Sequence, residues 1–259
     1  PTPGSNGGGL EMDEQGNLWM VAQGTRQVYL MESGVPAFTD VPWLSERPRR
    51  GTLAPGRTQE IAVTVDTTGL APGVYQATVF VRTNSGRQPL LQTRISLIVP
   101  AYQQAVNSGG ATFVDHLADR WAADQRYRQG GWGFLEPSER VATPRPIAGT
   151  VDDPLYQRAR RGFVEYRFDN LPPGVYQLEL RFAEIQDQPR LRRVYDVVAE
   201  TQLVLPAHDI ANEVGQLTAD DHSFFLTVTD GQLNLRLVPR DGFGVPLINA
   251  IRVTQRPDR

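Results

Sequence analysis

The sequence predicts an all-β chain built of at least two antiparallel β-sandwich modules. Three observations predict it. Apolar and polar residues alternate with a period of two at Ile61, Val63 and Val65, at Tyr75, Ala77, Val79 and Val81, and at Ile95, Leu97 and Val99. The same alternation returns at Tyr176, Leu178, Leu180 and Phe182 and at Leu233, Leu235 and Leu237. Gly/Pro turns separate these runs at short intervals. A period of two marks half-buried antiparallel strands, and short strands with closely spaced turns mark a sandwich.

The elements follow in order. Residues 1–34 read as a linker and a short β segment. Residues 1–9 are chiefly Pro, Gly, Ser and Asn, and two or three short strands over residues 10–33 are separated by Gln15-Gly16-Asn17 and Gln23-Gly24-Thr25. So small a sheet cannot bury both faces by itself. It packs on the next module or is the remnant of a preceding domain, and Gly16–Trp19 with Val28–Leu30 resembles one β-propeller blade edge. The chain opens Pro1-Thr2-Pro3-Gly4 without an initiator Met, as a processed or excised piece of a longer protein would, and shows no signal peptide. Residues 35–100 form the first sandwich, punctuated by Ala54-Pro55-Gly56, Leu70-Ala71-Pro72-Gly73 and Asn84-Ser85-Gly86. Residues 101–259 hold the second. Asp230-Gly231 signals a hairpin between Val228 and Leu233, and residues 203–223 read as a long loop. Gly-Val-Tyr-Gln occurs after Pro at Gly73–Gln76 and at Gly174–Gln177, which reads as shared turn chemistry.

Composition narrows the function. The chain has 259 residues, 40% hydrophobic, with a formal charge of −3, so it buries sizeable cores and carries no basic footprint for nucleic acid. No apolar run approaches a transmembrane segment. Cysteine and lysine are both absent, which excludes thiol nucleophiles, Cys-ligated zinc, Schiff-base lysines and a P-loop lysine. His116, His208 and His222 are too few and too scattered for a zinc site, so no metal and no cofactor is expected. Asp115-His116 lacks a Gly-x-Ser-x-Gly elbow, and Asp152-Asp153 and Asp220-Asp221 read as turn and capping residues rather than calcium ligands. No catalytic residues are assigned. Trp43 and Trp121, with Trp19, are expected in cores.

Two resemblances add to this reading. Val41–Ser45, Gly51–Gly56 and Gly69–Tyr75 resemble BACON-like, immunoglobulin-type repeats, which serve as spacers in bacterial surface proteins. About residues 104–254 resemble malectin, a jelly-roll-type sandwich. The landmarks run Ala105–Gly110, Trp121–Asp124, Gly130-Gly131, Gly149–Gln157, Gly174–Tyr176, Phe182–Ile185, Val194–Val197, His208–Ile210, Thr229–Gly231 and Pro246–Ile251. The resemblance implies carbohydrate binding by loop aromatics and one Asp at one end of the sandwich. The family's first aromatic is met by Trp132, with Phe134 two residues on. Its Tyr falls on Arg161, its aromatic pair on Gln186 and Asp187, and its Asp on Gly244, with Asp241 and Phe243 close by. Trp132 either presents its indole to a ligand or caps the core. Arg158, Arg160 and Arg161, with Arg190, Arg192 and Arg193, either enrich the site in guanidinium, suiting a uronic or sulfated polysaccharide or an acidic face on a partner, or are ordinary solvated or ion-paired surface charges. The resulting expectation is a non-catalytic carbohydrate-binding or adhesion module of an extracellular or cell-surface protein, with a glycan as partner. The alternatives are a structural subunit that packs on neighbouring protein subunits, and an accessory domain of a secreted hydrolase.

Overall fold

The computed structural model describes residues 7–12, 18–22, 24, 26–31, 40–135 and 137–259. The readings for residues 1–6, Gln15–Asn17, Gln23, Thr25 and residues 35–39 lie outside these. Strands make up 52% of the described residues and helices 3%, so the fold is all-β. It divides into two compact units, one of Pro1–Leu70 with Ala77–Ile95 and one of Ala71–Gln76 with Ser96–Arg259.

In the first unit β1 (Gly7–Met12), β2 (Leu18–Ala22) and β3 (Gln27–Met31) form an antiparallel sheet in that order. Trp19 is 39% exposed there, not in a core. In the same unit β4 (Leu44–Arg47) pairs with β5 (Ala62–Val65), while β6 (Gly73–Arg82) pairs with β7 (Leu90–Val99) as a separate ladder whose residues are divided between the two units. Trp43 is buried as expected. Ile61, Val63 and Val65 are not, at 40–41% exposed, because among the described residues β5 pairs with β4 alone and both its faces stay open.

The second unit is a sandwich. Its strands are β8 (Gln103–Asn107), β9 (Phe113–Val114), β10 (Arg120–Ala123), β11 (Trp132–Leu135) and β12 (Ser138–Ala142), then helix α1 (Asp153–Tyr156). They continue with β13 (Arg158–Gly162), β14 (Val164–Asp169), β15 (Gly174–Phe182), β16 (Tyr195–Ala199) and β17 (Gln202–His208), then α2 (Ile210–Glu213). The last are β18 (Asp220–Val228), β19 (Gln232–Pro239), β20 (Leu247–Ile248) and β21 (Ala250–Gln255). One sheet runs β18-β15-β21-β8-β10-β9, the other β11-β14-β19-β16-β17, and a short sheet runs β12-β13-β20. The pairing is antiparallel except for β8 with β10, which is parallel.

The alternating residues supply the core. Tyr176, Leu178, Leu180 and Phe182 of β15 are fully buried, as are Leu233 and Leu235 of β19 and Tyr166 and Phe168 of β14. Each such side chain contributes about 1.5–3 kcal/mol by leaving water. Trp121 is also fully buried, its indole N–H donating to Asp115 Oδ2 at 3.0 Å.

Two local expectations are corrected. Asp230-Gly231 is a tight turn but not a hairpin, because β18 pairs with β15 in one sheet and β19 with β14 and β16 in the other. The turn arches from layer to layer. Residues 203–223 are not one loop: β17, α2 and the start of β18 occupy much of the stretch. β17 escaped detection because it is an edge strand with two register shifts, a proline and a positive φ of 51° at Ala207, so its pattern is broken. The repeated Gly-Val-Tyr-Gln does share its turn chemistry. Tyr75 Oη donates to the Ala71 carbonyl at 2.8 Å and Tyr176 Oη to the Pro172 carbonyl at 2.7 Å, four residues back in both.

A buried ion pair locks β13 to the rest. The Arg160 guanidinium meets Asp124 at 2.6–2.7 Å, both side chains being essentially inaccessible. Tyr166 Oη and the Gly109 N–H also donate to that carboxylate, at 2.9 and 2.7 Å. Gly109 holds φ +72°, and a Cβ there would sit 2.4 Å from the Ala159 carbonyl oxygen. Asp124→Ala leaves a buried guanidinium uncompensated and costs about 3–5 kcal/mol, whereas Asp187→Ala, in an exposed pair with Arg145, costs about 0–1 kcal/mol. Urea unfolding followed by far-UV circular dichroism measures both, and equal midpoints for the two variants would deny Asp124 this role.

Candidate functional site

The residues implied by the resemblance separate into two places. Arg161 lies in the middle of the short sheet, opposite Glu139 on β12 and Leu247 on β20. Its guanidinium pairs with Glu139 Oε1 at 2.5 Å and donates to Gln186 Oε1 at 3.0 Å. The same amide oxygen accepts from Arg193 Nη2 at 3.0 Å. Arg193 is buried, donates from Nε to Glu184 Oε2 at 2.7 Å and from Nη1 to the Val245 carbonyl. Gly244 N–H donates to the Arg192 carbonyl at 2.6 Å, which ties the Arg240–Gly244 turn to the same network. That turn carries Asp241, exposed, and Phe243, 41% exposed. Asp187, at φ +56°, pairs with Arg145 at 2.5 Å. One chain of contacts therefore joins Arg161 to Gln186 and links Asp187, Asp241 and Phe243 to them through short segments.

Trp132 and Phe134 do not join that chain. Trp132 pairs with Phe168 near the far end of β14, four residues and about 13 Å of strand from Val164. Phe134 is 6% exposed, with the Arg160 guanidinium 3.2 Å above its ring and Tyr166 edge-on at 6.4 Å. Core packing takes the face that a sugar would need. Trp132 packs on the core, as one of its two expected roles requires. Its ring stacks on Phe168 at 6.5 Å, and it also borders an open depression of about 380 Å³ with Gln104, Asp119, Arg120 and Arg252. Asp169 fixes the Gly130-Gly131 turn before it, accepting from Gly130 N–H at 2.8 Å and from Tyr127 Oη at 2.5 Å. Gly133 next to it approaches the Tyr127 backbone so closely that a Cβ would lie 2.5 Å from the Tyr127 nitrogen.

The six arginines separate as well. Arg160 and Arg193 are buried in ion pairs, so they are structural. Arg158, Arg190 and Arg192 are exposed, and Arg161 is partly so. His116 bonds Asp152 at 2.6 Å rather than its neighbour Asp115.

Sequence reasoning missed one constellation. His208 and His222, read as scattered, come together with Glu213 and Asp220, with one ligand-type atom of each within 4.8 Å of the others. Burial pushes the His208 pKa down against the pull of Glu213 and Asp220. Contact with Asp220 pushes the His222 pKa up against burial. The one signal available was Asp220-x-His222 on a strand, which places both side chains on one face.

The "Malectin domain" family model matches residues 102–251, more than half of the chain. The chain belongs to the malectin family. Malectin domains are carbohydrate-binding modules, and this malectin domain coincides with the sandwich just described. Malectin-A of Xenopus laevis is 28% identical over 139 residues, covering 51% of this chain and 48% of that protein. Among solved structures, a Bacteroides uniformis β-glucuronidase superposes with a TM-score of 0.55 at 21% identity, covering 77% of this chain and 24% of the enzyme. The ANXUR1 extracellular domain of Arabidopsis thaliana gives 0.51 at 15% identity, covering 59% and 47%. The chain thus spans about half of two of these proteins and a quarter of the third.

Two loop-holding carboxylates make the domain acid-sensitive. Burial opposes ionisation of Asp115, but hydrogen bonds from Trp121 and the Asp119 and Leu117 N–H groups outweigh it and lower its pKa. Asp169 is lowered in the same way, with burial opposed by Tyr127, Gln232 and Gly130. A depressed carboxyl pKa gives stability that is full above the unfolded value of about 3.9 and is lost as pH falls through the folded value. Thermal midpoints therefore drop below about pH 4, and Asp169→Asn flattens that slope. An unchanged slope in Asp169→Asn would remove this aspartate from the balance.

Proposed function

We propose that this chain is the non-catalytic, glycan-binding part of a larger extracellular or cell-surface protein, and that its ligand is an acidic polysaccharide such as a uronate. In this reading residues 101–259 bind, residues 35–100 act as an immunoglobulin-type spacer, and residues 1–34 lead in from a preceding domain. The observation that carries it is the contact chain at Arg161. Hydrogen bonds link Arg161 and Gln186 to Arg193, and the neighbouring Arg192 to the turn that carries Asp241 and Phe243, in a domain whose family binds carbohydrate. Phe243 offers an exposed apolar ring for a pyranose face, and a ligand carboxylate would take the place of Glu139 on the planar fork of Arg161. Glu139, Glu184 and Asp187 are each matched to a guanidinium, which suits recognition better than acid–base turnover.

A second reading is favoured by one comparison. The β-glucuronidase likeness covers 77% of this chain, which exceeds the malectin match alone. In that reading the chain is the accessory part of a secreted glycosidase that acts on the same class of acidic sugar.

A glycan array probed with the full chain tests the proposal. Uronate-containing oligosaccharides bind, Arg161→Ala and Phe243→Ala each weaken binding about tenfold or more, and raising salt from 50 mM to 0.5 M weakens it further. Binding confined to neutral glucans, or unaffected by either substitution, would be evidence against it.

A further inference from the structure

The open edges of the two large sheets meet at a cluster that the glycan reading leaves unused. β17 is the last strand of the five-stranded sheet and ends in His208, while β18 is the first of the six-stranded sheet and begins at Asp220. Between them, α2 brings Glu213 to the same place. His208 Nε2 lies 3.5 Å from Asp220 Oδ2, His222 Nε2 lies 3.0 Å from Asp220 Oδ1, and Glu213 Oε2 lies 3.8 Å from His222 Nε2.

His222 Nε2 is paired with Asp220 Oδ1, but the rest of the cluster is not satisfied. His208 Nε2 and Asp220 Oδ2 are buried without a hydrogen-bond partner, two of eight such side-chain atoms among the described residues. A buried polar atom left unpaired is costly. Two at one point call for a shared partner. Both imidazoles are oriented by their surroundings. His208, with no exposed side-chain surface, sits 4.7 Å from the Phe182 ring and 5.2 Å from Tyr195, and His222 stacks on Phe224 at 6.3 Å. The other ring nitrogen of His208, Nδ1, meets Glu213 Oε1 at 3.1 Å. A proton on Nδ1 leaves the Nε2 lone pair free to face Asp220.

We propose that His208, Glu213, Asp220 and His222 form a structural site for a divalent transition-metal ion of the zinc class. Two ligand atoms each 2.0–2.1 Å from a tetrahedral ion lie about 3.4 Å apart, close to the 3.5 Å between His208 Nε2 and Asp220 Oδ2. Two imidazole nitrogens select zinc-class ions over calcium and magnesium, which take oxygen. Four protein ligands close the shell, so the ion cross-links rather than catalyses. It fastens one sheet to the other at their open edge, in a chain that has no cysteine for a disulfide.

The test uses the tag-free full chain, stripped with EDTA and dialysed. Calorimetric titration with ZnCl2 shows one site per chain. Free Zn²⁺ at a hundredfold over its dissociation constant raises Tm by about 5–10 °C, and equal CaCl2 or MgCl2 does not. Co²⁺ gives the visible bands of a tetrahedral site. His222→Gln and Asp220→Asn weaken Zn²⁺ binding about tenfold or more, while His116→Gln leaves it unchanged. X-ray absorption of the zinc-loaded wild-type chain shows two imidazoles at 2.0–2.1 Å, a readout that does not need the variants to fold. Absence of zinc binding, loss of it in His116→Gln, or a Tm response to calcium alone would overturn the site.

Discussion

The domain depends above all on one buried charge pair. Asp124 and Arg160 bond at 2.6–2.7 Å out of reach of water, and everything around them is arranged to satisfy that one carboxylate. Gly109, Tyr166 and Arg160 come from three different segments and converge on it. Taking two charges out of water is costly, and such a pair is sustained only where further donors complete it. Once formed, it fixes β13, and β13 fixes the residue next to Arg160. Arg161 can turn outward with a defined orientation because its neighbour is held inside.

Asn249 acts similarly with no charge. Its amide accepts from Ala183 N–H at 2.7 Å and donates to the Tyr156 and Arg158 carbonyls at 2.6 and 2.8 Å. A buried asparagine with these contacts joins α1, β13 and the end of β15 at one point. The loops beyond are therefore free to differ from those of other malectin domains without disturbing the layers. Function on such a scaffold resides in what the ends display, and not in the fold.

Much of the architecture was legible because burial on one face of a strand forces a period of two. β15 and β19 announce themselves through Tyr176–Phe182 and Leu233–Leu237. What was not legible is which strand pairs with which. Asp230-Gly231 sets a local turn, but nothing local says that its two arms join different sheets. β17 was hidden because an edge strand pairs on one side only and tolerates Pro206 and irregular register. At the candidate site, the malectin landmarks pointed to Arg161 and Gln186, and these two side chains are hydrogen-bonded to each other. It could not tell that Phe134 is sealed by Arg160, since a strand residue two positions from a half-buried Trp looks equally available. The histidine–carboxylate cluster draws on two sheets and a helix, so no one-dimensional pattern encodes it.

The place of β21 has a consequence for biosynthesis. This strand, Ala250–Gln255, lies inside the six-stranded sheet, with β15 on one side and β8 on the other. Until the ribosome has released those six residues, β8 and β15 have no common partner and the sheet stays split in two. At 5–20 residues per second, some 150 residues of strand-forming chain wait on the order of 10–30 s with apolar faces exposed. Completion thus waits for the last strand of the domain to emerge, and the nascent domain is a natural client for holding chaperones.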